Sequence, residues 1–361
     1  MEKTKHTKAV VKRDSSFSSR TWITLLLIAL PLIFFVSLMV GSVNIPLKSV
    51  PDIIFRPDQV KSTWVYIFNN YRLVKSITAV LAGMALGVAG LQMQTLFRNP
   101  LADPFILGIN SGASLGVALV VLGTGALSGA LLSGLNVLGD ISLAVAASIG
   151  AGLVLGLILF VSRWVRNATT LLILGLMFGY ATSALVSLLV YFSQPERVQA
   201  FTIWGYGSFG GVTWNQLRVM APVILIGIGM VLFLPKALNA LLLGEEYAKT
   251  MGLNVKRTRL LILISSSILA GTVTAFCGPI GFLGIAVPHI ARNLLRTSDH
   301  KKLIPATLLM GAIVALLADM ISQLPGSHYI LPLNVVTSVF GAPFVLWVIL
   351  RQRRGETSFA V

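Results

Sequence analysis

The chain has 361 residues, of which 55% are hydrophobic and only 11% charged. A soluble domain carries roughly 25% charged residues, so this composition excludes a protein that covers itself with a water-facing surface and points to a membrane protein. The formal net charge of +16 must therefore be read against a bilayer before it is read as a nucleic-acid footprint.

The first apolar stretch, Trp22–Gly41, "WITLLLIALPLIFFVSLMVG", contains no charge and is long enough for a hydrocarbon core of roughly 30 Å. A signal peptide is the competing reading. No small-x-small cleavage site follows in "SVNIPLKSV", and many more spans do, so a retained first helix is expected. Ahead of it lies a basic, Ser-rich tail, residues 1–20, expected to be disordered or interfacial.

Apolar runs between charged or Gly/Pro-rich breaks predict about ten helices, near 22–41, 73–97, 104–124, 139–162, 169–191, 216–235, 258–277, 281–296, 303–324 and 334–350. The expectation is an all-α integral membrane protein with one transmembrane domain over 21–352 and a short tail, 353–361. An even number of spans places both termini on one side. On that reading Lys48, Arg56, Lys61, Arg72, Lys75, Arg197 and Arg218 lie outside, and the rest of the 28 Lys and Arg residues lie with the termini. By the positive-inside rule both termini are expected to be cytoplasmic, in a multi-pass membrane protein. The positive charge then needs no nucleic acid.

Between the second and third spans stands "FRNPLADP", expected to be a tight cytoplasmic turn in which Pro100 and Pro104 stop one helix and start the next and Asp103 caps the third. Gly108, Gly112 and Gly116 follow at intervals of four, a flat stripe for close helix packing. The pairs Gly83/Gly87, Gly152/Gly156 and Gly175/Gly179 repeat the pattern, which is ordinary in membrane helices.

Leu243–Arg259, "LGEEYAKTMGLNVKRTR", is charged and helix-forming between two spans. Glu245 and Glu246 suit a first turn, Lys249 a last one, and Gly252 a C-terminal cap. It is either a short helix that docks on a cytosolic partner or a solvated connector. In "CGPIGFLGIAVPHIARNLLR", Gly278, Pro279, Gly281, Gly284 and Pro288 break helix regularity at membrane depth, where irregular backbone is tolerated only inside protein or along a cavity. His289 is either an intramembrane titratable group or a helix-end histidine bonded to backbone.

Chemistry-bearing patterns are few. Cys277 stands alone, and the four histidines have no ligand spacing, so neither a disulfide nor a metal site is expected. "GYGSFG" matches a dinucleotide fingerprint by letter but follows no strand. No phosphate loop of the G-x-x-x-x-G-K-[ST] type occurs, so ATP would have to be bound by another subunit. Asp140 and Asp319 near span ends are a sparse acid set for an ion-gradient transporter, the competing transport reading, and no carboxylate or His cluster suggests a membrane enzyme.

Four segments together, "LFRNPLADPFILGINSGASLG", "LGEEYAKTMGLNVKRTR", "GPIGFLGIAVPHIAR" and "LNVVTSVFGAPFVLWVILR", resemble the FecCD-type permeases of ATP-driven importers for iron–siderophore, haem and cobalamin, over roughly residues 70–354. The resemblance implies ten helices per chain, a dimer around a central path, formed with a second copy or a paralogous permease, and alternating access. It also implies two ATPase subunits that hold ATP and Mg, an extracytoplasmic substrate-binding protein, and no cofactor or catalytic residue in this chain. The family's coupling helix corresponds to Gly244–Leu253, with Gly244, Glu245, Glu246, Met251 and Gly252. Its gate region corresponds to 186–211, with Val186, Val190, Ser193, Gly205 and Gly207. The family's outer docking arginines correspond to Arg72 and Lys75 of "RLVK", where Lys replaces an Arg and loses its planar fork. Two further departures are Gln323 in "ADMISQ" and the outer "ILPLN", where family members often carry a basic and an acidic residue respectively. Beyond these partners the only surroundings expected are membrane lipid.

Overall fold

The computed structural model describes residues 18–41, 43, 45–46, 49–123, 139–162, 164–165, 168–323 and 329–354. The expected tails, 1–20 and 353–361, fall largely outside them, as do the side chains of Asp140 and His328. Among the described residues the protein is helical: α1 Ser19–Met39, α2 Val50–Phe55, α3 Ser62–Ile67, α4 Leu73–Leu96, α5 Ile109–Val121, α6 Gly139–Ser162, α7 Ala168–Tyr191, α8 Pro195–Gly205, α9 Trp214–Leu232, α10 Pro235–Leu242, α11 Glu245–Thr250, α12 Val255–Cys277, α13 Leu283–Leu295, α14 His300–Ser322 and α15 Leu333–Arg354. α3 runs into α4 through one π-helical turn, Phe68–Arg72.

Each of the ten expected spans is met by a helix. Seven are long and apolar enough to cross a bilayer by themselves: α1, the continuous 62–96 rod, α6, α7, α9, α12 and α14. α5 and the apolar part of α15 are shorter. α13 is only 13 residues long. The third expected span divides. Asp103 accepts a hydrogen bond from the Phe105 N–H and caps a 3₁₀ turn, Pro104–Leu107. Gly108 then takes a left-handed backbone, φ +75°, before α5 starts. Gly108 is thus the joint between two elements and lies outside the helical stripe in which the spacing put it.

α4 is the centre of the bundle. α14, α12, α13, α9 and α10 all pack along it, and its side chains from Ala85 to Leu96 are buried throughout. Small residues let the axes approach. A Cβ on Gly83 would overlap the carbonyl oxygen of Gly311 on α14, and one on Gly311 would overlap that of Gly83. α5 crosses α6 in the same way, with a Cβ on Gly112 falling 2.6 Å from the Gly150 oxygen and one on Gly116 overlapping that of Ala146. Gly152 and Gly156, of identical spacing, face open space. α7 stands apart, packed on α5 and the 3₁₀ turn along one edge and exposed over Ile173, Met177, Tyr180, Leu188 and Tyr191.

Candidate coupling surface and transport face

α10 and α11 form one unit at an end of the bundle. α10 begins at Pro235, whose fixed φ suits a first helical turn, and seats Leu238 and Leu241 in the core. The chain turns at Gly244, φ +110°, into α11. α11 ends in a Schellman motif: the Gly252 N–H donates to Lys249 O at 2.9 Å, the Leu253 N–H donates to Ala248 O at 3.0 Å, and Gly252 has φ +82°. The two glutamates part company. Glu245 turns inward and binds Arg259 of α12, Oε1 to Nη2 at 2.6 Å, whereas Glu246 stays exposed beside Lys249. The outward surface is Glu246, Tyr247, Lys249 and Met251, the last 60% exposed. Tyr247, which the charge pattern did not single out, completes it.

The same end of the bundle carries a polar network that no sequence motif announced. Arg292 of α13 donates to Gln94 Oε1 at 2.5 Å, and Gln94 Nε2 donates to Ile285 O at 3.2 Å. Thr95 Oγ1 lies 2.8 Å from His300 Nε2, and His300 Nδ1 lies 2.8 Å from Asn239 Oδ1. These residues are spread over four helices, α4, α10, α13 and α14, and no local periodicity links them. The "FRNPLADP" turn is clasped beneath α13: His289 Nε2 donates to Pro100 O at 2.9 Å, and Pro104 lies where a Cβ on Gly284 would be 2.7 Å away. His289 is thus the backbone-bonded helix histidine of the two readings. Burial pushes the Asp103 carboxyl up to about 6, although its bond from Phe105 pulls the other way.

At the other end of α4 the two cations expected to serve outer docking are committed inside the chain. Arg72 is buried and donates to Leu38 O at 2.9 Å, to Met39 O at 3.0 Å and to Val43 O. Lys75 pairs with Asp319 of α14 at 3.0 Å, and Gln323 donates to the same carboxylate oxygen at 2.8 Å. The helical spacing of the two is as expected; their availability at the surface is not, because α1 supplies unfilled carbonyls and α14 a buried carboxylate.

The 186–211 segment crosses from α7 through α8 to the loop before α9. Val186 and Val190 are half-buried. Ser193 closes α7, donating to Leu189 O at 2.6 Å, and also reaches Leu122 O at 3.0 Å; Arg197 donates to Gly123 O at 2.7 Å. Gly205 has open space around it. Gly207, φ +69°, lies where a Cβ would be 2.8 Å from Pro279 O, so the loop rests on the irregular 278–282 backbone. That backbone is held inside protein: Ser208 N–H donates to Cys277 O at 2.8 Å, Gly281 N–H to Asn334 Oδ1 at 3.1 Å and Asn334 N–H to Tyr206 O at 3.0 Å.

Residues 26–351 match the FecCD transport family. The chain belongs to that family. This FecCD protein is 36% identical over 329 residues to the hemin transport system permease protein HmuU of Yersinia pestis, a match covering 91% of this chain and 96% of HmuU. It is 36% identical over 337 residues to the vitamin B12 import system permease protein BtuC of Klebsiella pneumoniae, covering 93% and 95%. Among solved structures it is similar to a metal-chelate type ABC transporter in an inward-facing conformation, with a TM-score of 0.77, 27% identity and coverage of 92% of this chain and 99% of that one. The FecCD chain is a multi-pass membrane transport protein whose four signature segments all fall on the elements just described.

Proposed function

We propose that this FecCD chain is the membrane-spanning permease subunit of an ATP-driven importer in a bacterial cytoplasmic membrane, moving an iron–siderophore, haem or cobalamin-type substrate by alternating access. In this reading it crosses the membrane ten times with both termini in the cytoplasm. It pairs with a second permease copy, carries two ATPase subunits that hold ATP and Mg, and receives substrate from an extracytoplasmic binding protein. α11 with its flanking Gly244 and Gly252 is the coupling element, and 186–211 is the gate, facing the partner permease through α7.

The observation that carries the proposal is α11 itself: a six-residue helix, fixed at entry and exit by glycine geometry, clamped by Glu245–Arg259 and presenting Tyr247 and Met251 outward in a family of ABC permeases. A partner ATPase gives that surface its use. The ion-gradient alternative asks for polar chains through the membrane, and the titratable pair Lys75–Asp319 is tied up as a contact between α4 and α14. As for outer docking, the internal commitments of Arg72 and Lys75 favour a role in shaping that end of α4 over direct contact with a binding protein.

Reconstitution with the ATPase and binding protein that co-purify with it from native membranes tests the proposal. Hemin or cyanocobalamin should accumulate in proteoliposomes only with ATP and should keep doing so when ionophores dissipate ion gradients. Uptake driven by a gradient without ATP would replace this reading with the alternative.

A further inference from the structure

We propose that Asn239, His300 and Thr95 are positioning residues that carry movement of the α10–α11 unit to the ends of α4 and α14. The inference rests on the reading of α11 as the coupling element and names the link behind it.

Asn239 stands on the half-buried face of α10, a few residues ahead of α11. Its side chain is used on both sides. Nδ2 donates to Asp299 Oδ1 at 2.8 Å, while Oδ1 accepts the His300 backbone N–H at 2.9 Å and the His300 ring Nδ1–H at 2.8 Å. Asn239 Oδ1 can only accept, so Nδ1 carries a proton. Asp299 is the N-cap of α14 and accepts from the Lys301 N–H at 3.1 Å, so Asn239 grips the first turn of α14 at its cap. The His300 ring is buried to 1% exposure and sets its second nitrogen 2.8 Å from Thr95 Oγ1, one residue before the end of α4. Thr95 is buried as well. One short helix is thereby tied to two long ones through a single imidazole.

The apolar contacts of α10, through Leu238 and Leu241, allow it to slide. Hydrogen bonds do not, because they weaken steeply with distance and angle. Bonded from end to end, with His300 and Thr95 buried and Asn239 half-buried, the chain moves as a unit or breaks, which is the behaviour of a two-state connection. On the α12 side the Glu245–Arg259 pair holds α11; on the α4/α14 side the Asn239–His300–Thr95 chain supplies side-chain hydrogen bonds, half-buried at Asn239 and buried between His300 and Thr95.

Backbone deuterium exchange on the permease–ATPase complex, with and without Mg-ATP trapped by vanadate, reads this link without needing a transported substrate. In the wild type, trapping should change exchange in α11, at 90–97 and at 300–304 together. Asn239→Ala, or the milder Thr95→Val should the first fail to fold, should keep the α11 response and reduce the response at 90–97 by about fivefold, the lower range of coupling between sites. The double variant should lose no more than Asn239→Ala, since the bonds act in series. A merely structural role predicts faster exchange at 90–97 with and without nucleotide and an unchanged response to trapping; that result overturns the inference. A wild-type α11 that does not respond at all overturns the coupling reading and this inference with it, so the two failures are distinguishable.

Discussion

Lys75 Nζ lies 3.0 Å from Asp319 Oδ2, joining α4 to α14 by an ion pair whose side chains are 13% and 7% exposed. Removing one member of such a pair leaves an uncompensated buried charge, which costs about 3–5 kcal/mol, whereas removing both is far milder. Asp319→Ala and Lys75→Met should each lower the melting temperature of the detergent-solubilised protein and its yield from the membrane. The double variant should recover a large part of both. Charge reversal at Arg72 and Lys75 breaks internal contacts, so loss of a binding protein from that variant reports unfolding of this end of α4 before it reports docking.

Gly112 sits where a Cβ meets the Gly150 oxygen at 2.6 Å and Val154 Cγ2 at 2.5 Å. Leu at this position must push α5 off α6, at a cost of about 1–3 kcal/mol or more. We expect Gly112→Leu to reduce monodisperse protein on size-exclusion chromatography. Gly152→Ala, on α6 two residues beyond Gly150 but facing open space, should behave as wild type. Equal tolerance at the two positions would remove the packing explanation for α5 and α6.

Gly252 combines φ +82° with an N–H bonded to Lys249 O. Proline fixes φ near −65° and lacks the N–H, so Gly252→Pro must undo the end of α11. The expected result is ATP hydrolysis by the assembled complex that no longer tracks uptake, with the melting temperature of the permease nearly unchanged because α11 is mostly exposed. Undiminished uptake in this variant would show that the geometry of α11 is not needed for transport.

Asp103 gives a pH signature. Its carboxyl is raised to about 6 in the folded protein by burial, against about 3.9 in an unfolded chain. A raised carboxyl favours folding while it is protonated. That contribution is present below about pH 4 and is lost as pH rises through about 6, a loss of about 3 kcal/mol at most. Asn keeps an oxygen for the Phe105 N–H and carries no charge. Melting temperatures of Asp103→Asn relative to wild type should therefore rise between pH 4 and pH 7. A difference that stays flat across this interval would mean that Asp103 titrates as an exposed carboxylate does.

Much of this protein was legible along the chain because its signals are local. A run of twenty uncharged residues such as Trp22–Gly41 forms a helix wherever it folds, and each of the ten expected segments carries a helix, seven of the helices being long and apolar enough to cross a bilayer. Gly252 needed only its own neighbours to be read as a helix end, and Asp103 only the following Pro104 to be read as a cap. The order of the four signature segments is likewise a one-dimensional property, and it gave the family before any contact was known.

Local spacing alone misassigned what depends on a second helix. Gly108 shares the interval of four with Gly112 and Gly116, yet it is a left-handed joint, because Asp103 and Pro104 build a 3₁₀ turn that must be redirected before α5 begins. Gly112 and Gly152 look alike in sequence and differ only in whether another backbone lies against them. The resemblance that assigned Arg72 and Lys75 to outer docking could not show the carbonyls at Leu38, Met39 and Val43 or the carboxylate at Asp319 that engage them.

The sequence by itself determined that the chain lives in a membrane, roughly where its long helices lie, and which family it belongs to, since composition, periodicity and motif order need no third dimension. Only the tertiary structure decided which polar groups are engaged: Glu245 with Arg259, Lys75 with Asp319, Asn239 with His300 and Thr95. The physical reason is that a polar group inside a packed bundle must find a partner, and that partner comes from whichever helix the fold brings within about 3 Å, at sequence distances no periodicity encodes.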